Sequence, residues 1–322
     1  MNKSFAGLLC VVALIAGPVP PGNAQGYPKG AINLVIPYAA SDAADISARA
    51  MADEMSKHLK VPIVPVNRPG AGAALGVESV VKAAKDGYTI LYTTDAPLTF
   101  RKVLEPATTT YDATKDLVPL GMSTRIPIIL AIRSDLPYKN FAEMVEYAKK
   151  NPGTVRVGTA GAGTVGDFTV AIVNSLTGAG ITMVPFKGAA PSVTAVRGGH
   201  VEGVALALGA LSAHLKSGVL KGIVISSKFP EFPDTPTLTE LGYKQNLFGL
   251  WLGFYAPAGV PQEVTDALVP AVEKAAKDPA VAARLLRLGV LQAYAPPAAM
   301  LKELREEQVI IEEVARKSGI LK

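Results

Sequence analysis

The amino-acid sequence predicts an α/β protein of two lobes joined by two crossing strands, with a ligand cleft between them. Three observations carry that prediction. The stretches "INLVIPY" (32–38), "AASDAAD" (39–45) and "ISARAMADEMSKHL" (46–59) follow one another as apolar strand, small-residue turn and helix. The same order recurs at 154–176, where "TVRVGTA" leads through a glycine turn into "DFTVAIVNSL". Two long extended runs, 117–132 and 247–259, separate these blocks, so the chain is expected to pass twice between the lobes.

Each element has its local reason. Ile46, Ala50, Met51, Met55 and Leu59 fall on one face of the first helix. "VPIVPV" (61–66) reads as a strand, "GAGAALGVESVVKAAK" (70–85) as a glycine turn and helix, and "YTILYTT" (88–94) as a strand. "LVPLGMSTRIPIILAI" (117–132) is the first long β run. Beyond the second glycine turn come a strand at 181–186, a helix near 190–197, a buried strand at 201–208, a helix near 211–217 and a strand at 221–227. "FPEFPDTPTL" (229–238) is a proline-rich connection, and "LFGLWLGFYAPAG" (247–259) is the second extended run. The tail from 261 is mainly helical, with 3.6-residue periodicity at 264–277 and 298–319. Those helices are expected to return to the first lobe.

The N-terminus reads as an export signal: Lys3, an apolar run from 5 to 16, then small residues at Gly22 and Ala24. Residues 1–24 are therefore expected to be removed, leaving lobe 1 at 25–128 plus 253–322 and lobe 2 at 129–252. The apolar run is shorter than the roughly 20 residues a membrane span needs. Cys10, the single cysteine, lies inside it, so the exported chain is expected to carry no disulfide or cysteine-bound metal. A formal charge of +5 with 18% charged residues, scattered along the chain, gives no footing for nucleic-acid binding. There is no H-E-x-x-H for a metal and no G-x-S-x-G for an activated serine.

Gly161, Gly163 and Gly166 spell G-x-G-x-x-G on a strand-to-helix turn. Such a turn offers backbone N–H groups and a helix dipole to any anion. A dinucleotide fold would place an acid at the end of the next strand, where this chain has Phe186 and Lys187.

"YPKGAINLVIPYAASDAADISARAMADEM", "VPVNRPGAGAALGVESVVKAAKDGYTILYTT", "NPGTVRVGTAGAGTVGDF", "MVPFKGAAPSVTAVRGGHVEG" and "FYAPAGVPQEV" together resemble, along nearly the whole mature chain, the solute receptors of tripartite tricarboxylate transporters, also called Bug proteins. "NRPGAG" followed by "DGYT" is the most specific part. The resemblance implies a type II periplasmic binding fold, hinged closure, no catalysis, no cofactor and no metal. It also implies a periplasmic, monomeric receptor that hands a carboxylate to integral-membrane permease subunits. In that family the turn after the first strand and the turn matching "TAGAGTVGD" together clasp one ligand carboxylate. Carried over, this implicates Ala40, Ser41, Asp42, Ala43, Ala44 and Asp45, and Gly161, Gly163, Thr164, Val165 and Gly166.

Several positions depart from the family pattern. Ser41 and Asp42 stand where glycines are usual, leaving Asp42 to point outward, cap the helix or meet a ligand donor. Asp167 replaces a frequent His, and Leu206, with Ala207 beside it, replaces an acid and makes that wall apolar. Arg133, at a strand end expected to face the cleft, is a candidate second anion anchor, with an ordinary surface pairing to Asp135 as its other reading. Asp95 lies at another strand end and is expected either to aid the site or to cap the next segment. Asp45 could equally be an N-cap. Phe168 and Phe186 are open to core or ligand-stacking roles.

One carboxylate in the turns, an apolar middle and an Arg beyond it describe an aromatic dicarboxylate such as terephthalate, and the chain is similar to the terephthalate-binding members. An aliphatic di- or tricarboxylate receptor, a sensor subunit and an exported α/β enzyme are the alternatives.

Overall fold

The computed structural model describes residues 26–40 and 42–317. The residues read as an export signal, and Ser41, lie outside the described residues. Eleven strands and eleven helices are described: β1 (Ile32–Ile36), α1 (Ala43–Leu59), β2 (Ile63–Asn67), α2 (Ala74–Val81), β3 (Thr89–Thr94), α3 (Phe100–Leu104), α4 (Ala113–Asp116), β4 (Leu117–Ile126), β5 (Ile128–Arg133), α5 (Phe141–Lys150) and β6 (Arg156–Thr159) lead into α6 (Val165–Thr177), β7 (Thr182–Pro185), α7 (Ala189–Arg197), β8 (Gly203–Ala207), α8 (Leu208–Lys216), β9 (Leu220–Ile225), β10 (Leu250–Pro257), α9 (Gln262–Ala276), α10 (Pro279–Leu286), β11 (Leu291–Ala295) and α11 (Pro297–Lys317).

Two mixed sheets form two lobes. Lobe 1 holds six strands in the order β11-β4-β10-β3-β1-β2, and lobe 2 holds five in the order β7-β6-β8-β5-β9. β1 pairs in parallel with both β2 and β3, which is why four of its five residues are apolar and buried. Ala48, Met51 and Met55 of α1 pack on one face of that sheet with α9, and Val77, Leu91, Trp251, Met300 and Leu304 fill the other. In lobe 2, Leu130, Val157 and Phe168 centre one core, while Ile129, Val204 and Leu211 form a second on the opposite face.

The first long β run is broken where the sequence carries Pro127. Proline has no N–H for a ladder, and the carbonyl of Pro127 instead accepts from Leu208 N at 2.8 Å. β4 before it belongs to lobe 1 and β5 after it to lobe 2. The second run behaves differently. β10 lies wholly in the lobe 1 sheet, and the return crossing is made by the irregular chain between β9 and β10.

The C-terminal helices divide. α9 packs beside α1 in lobe 1. α11 starts there through Met300 and Leu304, but its far end, Ile311, Val314 and Ala315, joins the Phe168 core of lobe 2. α11 therefore straddles both lobes. Glu303 anchors its middle by accepting two hydrogen bonds of 2.7 Å from Arg125 at the end of β4.

Candidate functional site

Strand direction decides which ends face the space between the lobes. β1 and β3 in lobe 1, and β6 and β8 in lobe 2, bring their C-terminal ends to one cavity of about 990 Å³, represented in its lining by Tyr38, Thr94, Ala160 and Ala207. β5 runs antiparallel to β8, so its N-terminal residue Ile128 lines the cavity and its C-terminal Arg133 is carried to the far edge.

From lobe 2, α6 presents its start. Gly163, Thr164, Val165 and Gly166 line the cavity, and among the described bonds the N–H groups of Val165 and Gly166 have no protein acceptor. These are two of the unpaired donors every helix start carries, placed where the dipole favours negative charge. The turn leading to them is rigidly held. Gly163 adopts φ 73° and donates its N–H to Asp167 Oδ2 at 2.7 Å, and Asp167 Oδ1 accepts from Thr159 Oγ1. Burial raises the Asp167 carboxyl, against the opposing pull of those two hydrogen bonds. Gly166 is required by packing: a Cβ there would collide with the carbonyl oxygen of Ala205 in β8.

From lobe 1, α1 presents a different start. Asp42 is its N-cap, accepting from Ala44 N at 2.8 Å, and Asp42, Ala43 and Ala44 line the cavity. The helix thus satisfies one of its own donors with its own carboxylate. Asp45 is not the cap. Its carboxylate is buried and accepts from Arg49 Nε at 3.0 Å and Asn67 Nδ2 at 2.8 Å, fixing α1 to β2.

The remaining lining is mostly apolar, with Phe100, Leu104, Ile126, Leu206, Leu250 and Leu288 the larger contributors. Tyr38 adds a hydroxyl 2.6 Å from Thr94 Oγ1, and burial pushes its pKa up to about 12, so it stays neutral. Two cations reach the lining. Arg101 is committed, donating to Ala71 O and Thr108 Oγ1 at 3.0 Å each and pairing with Glu105 at 2.9 Å. Arg287, exposed just after α10, has a guanidinium with no ion pair or hydrogen bond among the described residues.

The lobes also touch. A Cβ on Gly209 would lie 2.5 Å from Leu288 O, and one on Gly289 would lie 2.7 Å from Gly209 N. Only glycine at both positions permits this approach of main chain from α8 to the α10–β11 turn.

The structure thus brings Asp42, Ala43, Ala44, Gly163, Thr164, Val165, Gly166, Leu206 and Ala207 to one cavity. It places the other sequence candidates elsewhere. Ala40 is exposed outside the lining. Gly161 lies behind the turn, its carbonyl accepting from both Thr164 N and Oγ1. Arg133 pairs with Asp135 at 2.6 Å, the surface pairing considered above, because β5 runs away from the cleft. Phe168 is fully buried edge-on to Phe100, and Phe186 packs over Gly158. Asp95 is fully buried behind the hinge strands rather than facing the cavity. Sequence reasoning missed Tyr38, which follows β1 by two residues and was findable, and Arg287, which reaches the cavity only through a long-range return of the chain.

A model of the tripartite tricarboxylate transporter family receptor matches residues 47–322. A protein of Agrobacterium vitis is 32% identical, covering 99% of this chain and 92% of its own. The structure of the periplasmic binding protein BugD superposes with a TM-score of 0.72 at 30% identity, over 91% of this chain and 99% of that one. A Rhodopseudomonas palustris protein with bound malate gives 0.71 at 30% identity, over 89% and 99%. An R. palustris protein solved with adipate gives 0.75 at 27% identity, over 91% and 98%.

Proposed function

Because the chain belongs to the receptor family of tripartite tricarboxylate transporters, we propose that it captures a dicarboxylate with an apolar spacer, an aromatic one such as terephthalate, and delivers it to membrane permease subunits. The family is one of transporter receptors that bind without catalysing, and its solved relatives are periplasmic. The observation that carries the reading is the division of anion-binding groups. Free amides stand at the start of α6 in lobe 2, an uncommitted guanidinium stands at Arg287 in lobe 1, and the lining shared between them is apolar. Relatives solved with adipate and with malate support a ligand with two carboxylates.

The first carboxylate is assigned to Val165 and Gly166, with the Thr164 hydroxyl beside them. This narrows the two-turn clasp that the family resemblance implies, because Asp42 already occupies Ala44 N and adds negative charge to the α1 side. The second carboxylate is assigned to Arg287, whose planar fork suits a bidentate bond. Leu206, Ile126, Ile128 and Leu250 favour a spacer without hydroxyls. Closure follows if the ligand contacts both lobes, since a ligand shifts the equilibrium only by its differential affinity for the closed state.

A calorimetric and thermal-shift panel of terephthalate, adipate, malate, citrate, glutamate and NAD tests this. A ligand at about 100 times its Kd stabilises by roughly 2.7 kcal/mol, a shift of about 2–4 °C. Terephthalate is expected to give the tightest binding. Adipate as the tightest binder would favour the second reading, an aliphatic dicarboxylate receptor, which the adipate-bound relative supports. Citrate as the tightest, or NAD alone, would reject both.

Asp42 supplies a further expectation. Asp42→Asn keeps a side-chain oxygen for Ala44 N and removes a charge from the lining, so affinity for any dianion should rise severalfold, about 0.5–1 kcal/mol for a partly screened charge. Unchanged affinity in titrations at low and high salt would show that Asp42 does not face the ligand.

A further inference from the structure

Behind the cavity, where α11 packs from lobe 1 onto lobe 2, stand two buried acids. Asp95, at the end of β3, is fully buried, and Glu307, midway along α11, is 7% exposed. Trp251 of β10 links them: its backbone N–H donates to Asp95 Oδ1 at 3.3 Å and its indole Nε1–H to Glu307 Oε2 at 3.2 Å. Asp95 Oδ2 is buried and has no hydrogen-bond partner among the described residues, and the carboxyl group it faces is that of Glu307. Glu307 lies between Met300 and Leu304, which pack in lobe 1, and Ile311, which packs in lobe 2.

We propose that Asp95 and Glu307 share a proton at the hinge, and that this proton holds α11 across both lobes, so that the hinge loosens as the proton is lost.

Among the described residues, the groups facing the pair give no alternative cation to replace the proton. Arg125 of β4 faces both acids but is spent on Glu303, two bonds of 2.7 Å. Glu303 adds negative charge from α11, and Tyr255 of β10 and Tyr38 after β1 are neutral phenols held well above their usual range by burial. Burial is the main cause that pushes both carboxyls up, Asp95 to about 7 and Glu307 well above its usual range. The sign follows directly. The folded protein retains a proton that the unfolded chain releases, so the contribution is complete only below the ordinary carboxyl range, about pH 4, and is lost progressively as pH rises from there through the folded titration. Two bare carboxylates side by side repel each other, and the separation that relieves them moves α11 from the hinge.

Trp251 is the only tryptophan in the sequence and so reports on the pair directly. The experiment records tryptophan emission and the thermal midpoint of the ligand-free full chain from about pH 5 to about pH 9, a range spanning the raised titration. Wild type is expected to show a sigmoidal emission shift and a midpoint that falls with rising pH. Glu307→Gln, whose amide still donates to Asp95 and accepts from Trp251, should abolish the emission shift and flatten the fall. A flat wild-type emission profile, or the same titration in Glu307→Gln, overturns the proposal. If that variant does not fold, Asp95→Asn serves as the second. No ligand is used, so the outcome is independent of which carboxylate the cavity takes.

Discussion

Gly166→Ala should abolish ligand capture and lower thermal stability together. The added methyl would sit against the carbonyl oxygen of Ala205, which is backbone in the middle of lobe 2 and cannot turn aside. The start of α6 must therefore lift from β8. Overpacking of this kind costs about 1–3 kcal/mol. The same displacement moves the Val165 and Gly166 amides away from the ligand's first carboxylate. Each hydrogen bond to a charged group is worth about 1.5–3 kcal/mol, so losing two lowers affinity by more than about 100-fold. Calorimetry with the best carboxylate of the panel and a melting curve measure both effects. A variant that melts lower but binds as before would show that the anion is held elsewhere.

Arg287→Ala is the second large effect, and its signature is selective. Removing the guanidinium should weaken a dicarboxylate by roughly 10–100-fold, the range expected for one or two charge-assisted bonds. A monocarboxylate of the same body, benzoate against terephthalate, should bind as it does to wild type. Arg287 is exposed and makes no internal ion pair, so stability should change by less than about 0.5 kcal/mol. Arg133→Ala is the control, expected to change neither ligand because Arg133 is bound to Asp135 at the end of β5 away from the cavity. Equal losses for both ligands in Arg287→Ala would remove it as the second anchor.

What the sequence made legible, and what it did not, divides along physical lines. Local periodicity located β1, α1, β3, β6, α6 and α11, because each pattern is written within one segment. The glycine turn before α6 was readable for the same reason. Arg133 was misplaced because its direction depends on β5 running antiparallel to β8, a pairing between segments some distance apart in the chain. Capping was open to both Asp42 and Asp45; Asp42 takes it, and Asp45, three positions on in the first turn, reaches Arg49 instead, a difference of helix phase that composition does not show. α5 was findable from Asn140, whose side-chain oxygen accepts from Glu143 N at 2.9 Å while its Nδ2 donates to the Glu143 carboxylate at 2.7 Å, a local capping signal. β11 had no such signal, because its pairing partner β4 lies far earlier in the chain. The hinge acids were individually visible as residues, but nothing in sequence joins Asp95 to Glu307.

On the proposed hinged closure, the bare main-chain approach of Gly209 to Leu288 and Gly289 is expected to limit how far the jaws shut. With no side chain there to compress, that stop would be hard, and the gap it leaves would be the same for every guest. A molecule much shorter than the gap cannot bridge both walls however favourable each end is, and a longer one props the stop apart. Selection by length is thereby built into two residues that need never meet the cargo, and in the carboxylate panel it would read as an affinity optimum against chain length.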